Sequence, residues 1–133
     1  MEVREGMSEV VLTVGPGHTL RDAARMMTEK GVGAAIVIDE EAPGPRIISE
    51  RDVLVSIGRG ENPDAERVAD HMSDSVITAA PDWSLERAAA DMAGRGIRHL
   101  VICEGPELVG VLSMRDIMRV WTSAGATSAM TPG

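Results

Sequence analysis

The sequence contains no phenylalanine and no tyrosine, and its only aromatic residues are two tryptophans. A core must therefore be packed from Val, Ile, Leu, Met and Ala, and nine methionines supply an unbranched, polarizable filling for it. So few aromatic faces exclude a stacking platform for single-stranded nucleic acid. Basic residues are scarce as well: thirteen Lys and Arg stand against twenty-one Asp and Glu, for a net charge of −8. Neutralising a phosphate backbone needs the opposite balance, so no nucleic-acid partner is expected. Cysteine occurs once, as Cys103 inside an apolar run. It cannot form an internal disulfide and reads as a small buried hydrophobe. No apolar run approaches the roughly 18 residues of a membrane span, and the N-terminus lacks the apolar segment of a signal peptide. No membrane association and a cytoplasmic location are therefore expected.

Patterns of catalytic chemistry are also missing. Of the three histidines, His18, His71 and His99, no two stand at a helical i, i+4 spacing, so no metal site is expected. Ser49 and Ser113 have no evident histidine partner, and no nucleophile, base and orienting group stand out. The sequence suggests no enzyme and nominates no catalytic residue.

What is present is an internal repeat. Sliding the chain by 65 residues lays the segment from Met7 over the segment from Met72, with ten identities in 33 positions. Among them are Thr13 with Thr78, Pro16 with Pro81, Leu20 with Leu85, Met27 with Met92 and Gly31 with Gly96. After a one-residue deletion the match resumes at an offset of 64, where Ser49-x-Arg51-Asp52 lies over Ser113-x-Arg115-Asp116. Each copy reads as βαββα. Strands are expected at 11–14 and 76–78. Capped helices follow, starting at Thr19 and Ser84 and ending near Gly31 and Gly96. A strand pair and a second helix complete each copy, the strands at 35–38 with 46–49 and at 99–103 with 108–113, the helices at 51–57 and 115–121. A short helix at 65–71 is expected to open the second copy, with residues 3–7 as its weaker counterpart. A unit of this size is marginal alone, so the two copies are expected to pack about a pseudo-twofold axis as one α/β (α+β) module. The expected division is residues 1–62, residues 63–122 and a flexible tail at 123–133.

The Gly-Ile-Arg-His-Leu-Val-Ile run at 96–102, the Gly110-Val-Leu-Ser113-x-x-Asp116 turn and the two Thr-x-x-Pro segments resemble the CBS domain family. The resemblance covers residues 1–122 and implies a tandem pair, or Bateman module, here as a free-standing small protein. In such modules, clefts between the repeats often bind AMP, ADP, ATP or S-adenosylmethionine. The Asp of the Ser/Thr-x-x-Asp motif typically holds ribose hydroxyls, while the Ser or Thr and nearby basic residues face phosphate. Carried over, this nominates Ser113 and Asp116 in the second repeat and Ser49 and Asp52 in the first, with Thr13 and Thr78 in the matching Thr-x-x-Pro segments.

The residues support that role independently. A helix N-terminus offers free N–H groups to an anion, and Arg51, Arg98 and Arg115 could pair with phosphate. The same motif also reads as a plain helix cap. Gly110 is expected to leave space beside Ser113 and Asp116, whereas Arg46, its counterpart, would crowd Ser49 and Asp52 or supply a cation. The second site is accordingly ranked first. The resemblance further implies a homodimer through the helices at 51–57 and 115–121, and a regulatory output read by a separate effector protein. The alternative is a ligand-free module for homodimerisation or protein interaction.

Overall fold

The computed structural model describes residues 1–9, 11–41, 44–73 and 76–123. All but the first residue of the expected tail, and residues 42 and 43 between the expected strands at 35–38 and 46–49, lie outside the described residues. The first repeat runs β1 (Thr13–Val14), α1 (Leu20–Lys30), β2 (Ala34–Val37), β3 (Arg46–Ser49) and α2 (Glu50–Gly58). The second runs β4 (Thr78–Ala79), α3 (Leu85–Arg95), β5 (His99–Glu104), β6 (Glu107–Ser113) and α4 (Met114–Ser123). The fold is thus mixed α/β with two three-stranded sheets. In each, the middle strand pairs in parallel with the strand before the helix and antiparallel with the strand after it.

The first helix of each repeat starts and stops where its sequence directs. The Thr19 hydroxyl accepts the Asp22 N–H, and the Asp22 carboxylate reaches back to the Thr19 N–H, closing a capping box. These hydrogen bonds hold the Asp22 carboxyl below its ordinary range. Ser84 caps α3 through its hydroxyl alone, accepting the Arg87 N–H at 3.1 Å. Gly31 and Gly96 close the helices at φ 68° and 67°, a left-handed conformation that costs glycine nothing. Leu20, Ala23 and Met27 are buried on one face of α1, as are Leu85, Ala88 and Met92 on α3.

The helix expected at 65–71 is instead a single 3-10 turn, Val68–Asp70, matched by Val3–Glu5 at the N-terminus. The physical reason lies in where its main chain bonds. Val68 N–H donates to His18 O at 2.8 Å and Ala69 N–H to Pro16 O at 3.0 Å, so these groups pair with the turn before α1 rather than with a continuing helix. The N-terminal segment repeats this at its own turn, with Val3 N–H to Trp83 O and Arg4 N–H to Pro81 O.

Those bonds define the packing. The described residues form two compact units, one within residues 11–76 and one of residues 1–9 with residues 77–123. Each repeat's core is therefore completed by the segment that leads into the other repeat. Val68 packs with Val14, Leu20 and Ile48, and Val3 packs with Leu85, Leu100 and Leu112, both valines fully buried. Repeats matched by sequence and units matched by packing differ by this exchange of lead-in segments.

Candidate functional site

Strand alternation sorts the candidate residues onto faces. In the first unit Val14, Ala35, Val37 and Ile48 belong to the core cluster with α1 and α2. Thr13, in register with Ile36, and Ser49, in register with Ala34, fall on the opposite face. In the second unit Leu100, Ile102 and Leu112 face the helices, while Thr78, in register with Val101, and Ser113, in register with His99, fall on the other side. Thr13 and Thr78 are exposed. Each stands two strands across and two residues along from its serine, roughly 12 Å between Cα atoms. The threonines thus share a sheet face with the Ser-x-x-Asp turns without touching them.

Ser49 ends β3 and caps α2. Its N–H donates to Asp52 Oδ2 at 2.8 Å, and Asp52 N–H donates to Ser49 Oγ at 3.4 Å. Ser113 ends β6 and does the same for α4, with Ser113 N–H to Asp116 Oδ2 and Asp116 N–H to Ser113 Oγ, both 3.0 Å. The motif is therefore a capping box in both repeats. The box engages one carboxylate oxygen, Oδ2, in each copy. At Asp116 the other oxygen accepts from Arg119 Nη2 at 3.0 Å. At Asp52 the matching helix position is Val55, which cannot donate.

The surroundings differ in charge. The start of α2 carries Glu50, Arg51 and Asp52, and the Glu50 carboxylate lies 3.2 Å from where a Cβ on Gly33 would stand. The start of α4 carries Arg115, Asp116 and Arg119, and the residue matching Gly33 is Arg98, whose carbonyl accepts the Met114 N–H at 2.9 Å. Arg51, Arg98 and Arg115 all have exposed side chains. The second turn is thus the more cationic, and Arg119 is a member that the sequence reading missed. Its spacing of three from Asp116 on a helix was the available signal.

The expected role of Gly110 is corrected. A Cβ there would meet the Ser8 carbonyl at 2.8 Å and the Met7 sulfur at 2.9 Å, so the space is filled by the lead-in segment. Gly110 pairs with Ile102 and Arg46 with Val37, both core residues, which sets Gly110 and Arg46 on the helix side, away from Ser113 and Ser49. Neither residue opens or crowds its neighbouring serine. Among the described residues, Arg46 Nη1 is buried without a hydrogen-bond partner.

One further group of donors comes together. Glu61, Glu66 and His71 place one ligand atom each within 4.8 Å of one another, although the histidines show no ligand spacing in sequence. Cys103 is partly buried, and desolvation pushes its thiol up from the ordinary value. No helix among the described residues is long and apolar enough to cross a membrane.

The model of the CBS domain family matches residues 2–59 and 68–123. The CBS domain-containing protein YhcV of Bacillus subtilis is 30% identical over 130 residues, covering 97% of this chain and 92% of its own. Other curated relatives are longer, and the chain spans 57% of one from Methanopyrus kandleri. Among solved structures, a hexameric CBS-CP12 protein from bloom-forming cyanobacteria superposes with a TM-score of 0.83 at 27% identity, over 90% of this chain and 71% of that one. A CBS domain protein from Pyrobaculum aerophilum, complexed with AMP, superposes with a TM-score of 0.76 at 26% identity, over 92% of this chain and 99% of that one.

Proposed function

The chain belongs to the CBS domain family, and on that premise we propose that it is a regulatory module that binds an adenine nucleotide and acts through contact with a separate protein. The candidate ligands are AMP, ADP, ATP and S-adenosylmethionine. One observation carries the reading: the Ser-x-x-Asp turn occurs twice, each time at a helix start on the sheet face away from the helices, with one carboxylate oxygen outside the capping box. Such an oxygen can accept from a ribose hydroxyl, and the helix N-terminus beside it favours an anion. The AMP complex of the Pyrobaculum aerophilum relative supports the same class of ligand. Ser113, Asp116, Arg115 and Arg98, joined by Arg119, make the stronger site, and Ser49, Asp52 and Arg51 the weaker. Thr78 and Thr13 border them on the same sheet faces. No catalytic step is assigned.

A thermal-shift panel of the four ligands tests this. Ligand at about a hundredfold its dissociation constant adds roughly 2.7 kcal/mol of stability, a rise of several degrees. A flat response to all four ligands would overturn the reading.

A second reading has its own support. Leu54 is 69% exposed on α2, and Met118 and Trp121 are 53% and 51% exposed on α4. Apolar side chains on these helices suit a homodimer, and a ligand-free interaction module would keep that surface while ignoring nucleotides.

A further inference from the structure

The segment joining the two repeats carries a group of side chains that the nucleotide reading does not use. Glu61 follows α2, and Glu66 and His71 flank the Val68–Asp70 turn. Their donor atoms, two carboxylate oxygens and an imidazole nitrogen, lie within 4.8 Å of one another, and all three residues are partly buried. His71 Nε2 is 2.8 Å from Glu66 Oε1.

Each donor is held on fixed backbone. Glu61 N–H donates to Ser56 O at 3.2 Å, and the fully buried Ser56 hydroxyl donates to Glu61 Oε1 at 2.9 Å. Glu66 is anchored at both ends of its peptide, its N–H on Asn62 O and its carbonyl receiving the Leu20 N–H, both at about 3 Å. His71 N–H donates to Val68 O, next to the buried Val68 side chain. A carboxylate oriented by a buried hydroxyl is the kind of outer support that metal ligands carry.

Charge points the same way. Two carboxylates are drawn together here, and Arg21 and Arg67 are engaged elsewhere. Arg21 pairs with Asp64, and Arg67 donates to Gly17 O at 2.8 Å. Among the described residues no Lys or Arg forms an ion pair with Glu61 or Glu66. A divalent cation would relieve that repulsion.

We propose that Glu61, Glu66 and His71 form a binding site for a divalent transition-metal ion, with Zn2+ the first candidate. One imidazole nitrogen and two carboxylate oxygens suit zinc, which binds such ligands at about 2.0–2.2 Å and takes water in a fourth position. The His71–Glu66 hydrogen bond must give way to two metal bonds. Bound metal ties the end of α2 to the lead-in segment that carries Val68, and so stabilises the unit of residues 11–76.

The test uses the full chain, stripped with chelator and titrated with Zn2+ by calorimetry and by competition with a chromogenic chelator. Wild type should bind a single equivalent in the micromolar range or tighter, with a rise in melting temperature. Glu61→Gln, which keeps an acceptor for the Ser56 hydroxyl, and His71→Gln should each weaken binding at least about tenfold, and Ser56→Ala should weaken it by about the same factor through loss of outer support. His18→Gln should leave binding unchanged. Circular dichroism of the metal-free variants separates lost binding from lost folding. No binding by wild type, undiminished binding by a folded Glu61→Gln, or equal loss in His18→Gln would overturn the proposal.

Discussion

Val68→Ala removes two methyl groups from a fully buried site that the chain fills from outside its own repeat. The lost transfer free energy is about 1.6 kcal/mol, at about 0.8 kcal/mol for each group. A cavity of roughly 50 Å3, at about 24 cal/mol for each Å3, adds up to about 1.2 kcal/mol. The expected loss is therefore about 2–3 kcal/mol. For a chain of this size each kcal/mol lowers the melting temperature by roughly 3–5 °C, so a fall of about 6–15 °C follows. The main-chain bond from Val68 N–H to His18 O survives the substitution, which confines the effect to packing. Val3→Ala should cost about the same in the other unit, where Val3 is equally buried. The control is Val55→Ala on α2, because Val55 is 42% exposed. Alanine's better helix propensity there should hold the change within about 0.5 kcal/mol. Urea unfolding followed by circular dichroism measures all three. A Val68→Ala variant no less stable than Val55→Ala would refute the exchange of lead-in segments.

The same exchange predicts the behaviour of fragments. A chain of residues 11–76 should retain more helical signal and a sharper thermal transition than one of residues 1–62, which lacks Val68; equal melts would contradict the packing described. Asp116→Ala should weaken adenine-nucleotide binding by roughly tenfold to a hundredfold, about 1–3 kcal/mol, and more than Asp52→Ala does, because Arg119 and Arg98 stand near Asp116 where Val55 and Gly33 hold the matching positions near Asp52. Calorimetric titration decides this, and a larger loss from Asp52→Ala would reverse the ranking of the two sites. The proposed homodimer predicts that Leu54→Glu with Trp121→Glu lowers the mass in light scattering from dimer to monomer, since both side chains are about half or more exposed; a monomeric wild type or an unchanged mass in the variant would contradict it.

The repeat, the helix caps and the apolar faces were legible because each rests on local spacing. Thr19 stands three residues before Asp22, and Leu20, Ala23 and Met27 recur at the helical period, so the sequence alone places cap and core. The exchange of lead-in segments was not legible. Similarity between residues 3–7 and 68–72 shows that they correspond, not which repeat each one packs on. The side occupied by Gly110 and Arg46 could have been read by counting two-residue alternation back from Ser113 and Ser49. The Met7–Ser8 segment that fills the space beside Gly110 carries no local signal of that contact. The grouping of Glu61, Glu66 and His71 follows no helical or strand period. It arises from a turn and a 3-10 segment, whose geometry a spacing rule for metal ligands does not cover.

The proposed function rests on adenine-nucleotide binding at the two Ser-x-x-Asp turns. Calorimetric titration of AMP into the wild-type chain and into the Asp52→Ala, Asp116→Ala double variant tests it directly. Saturable binding by wild type, lost in a double variant that still folds, is the predicted result. No heat of binding in wild type, or binding of equal strength in the folded double variant, would contradict it.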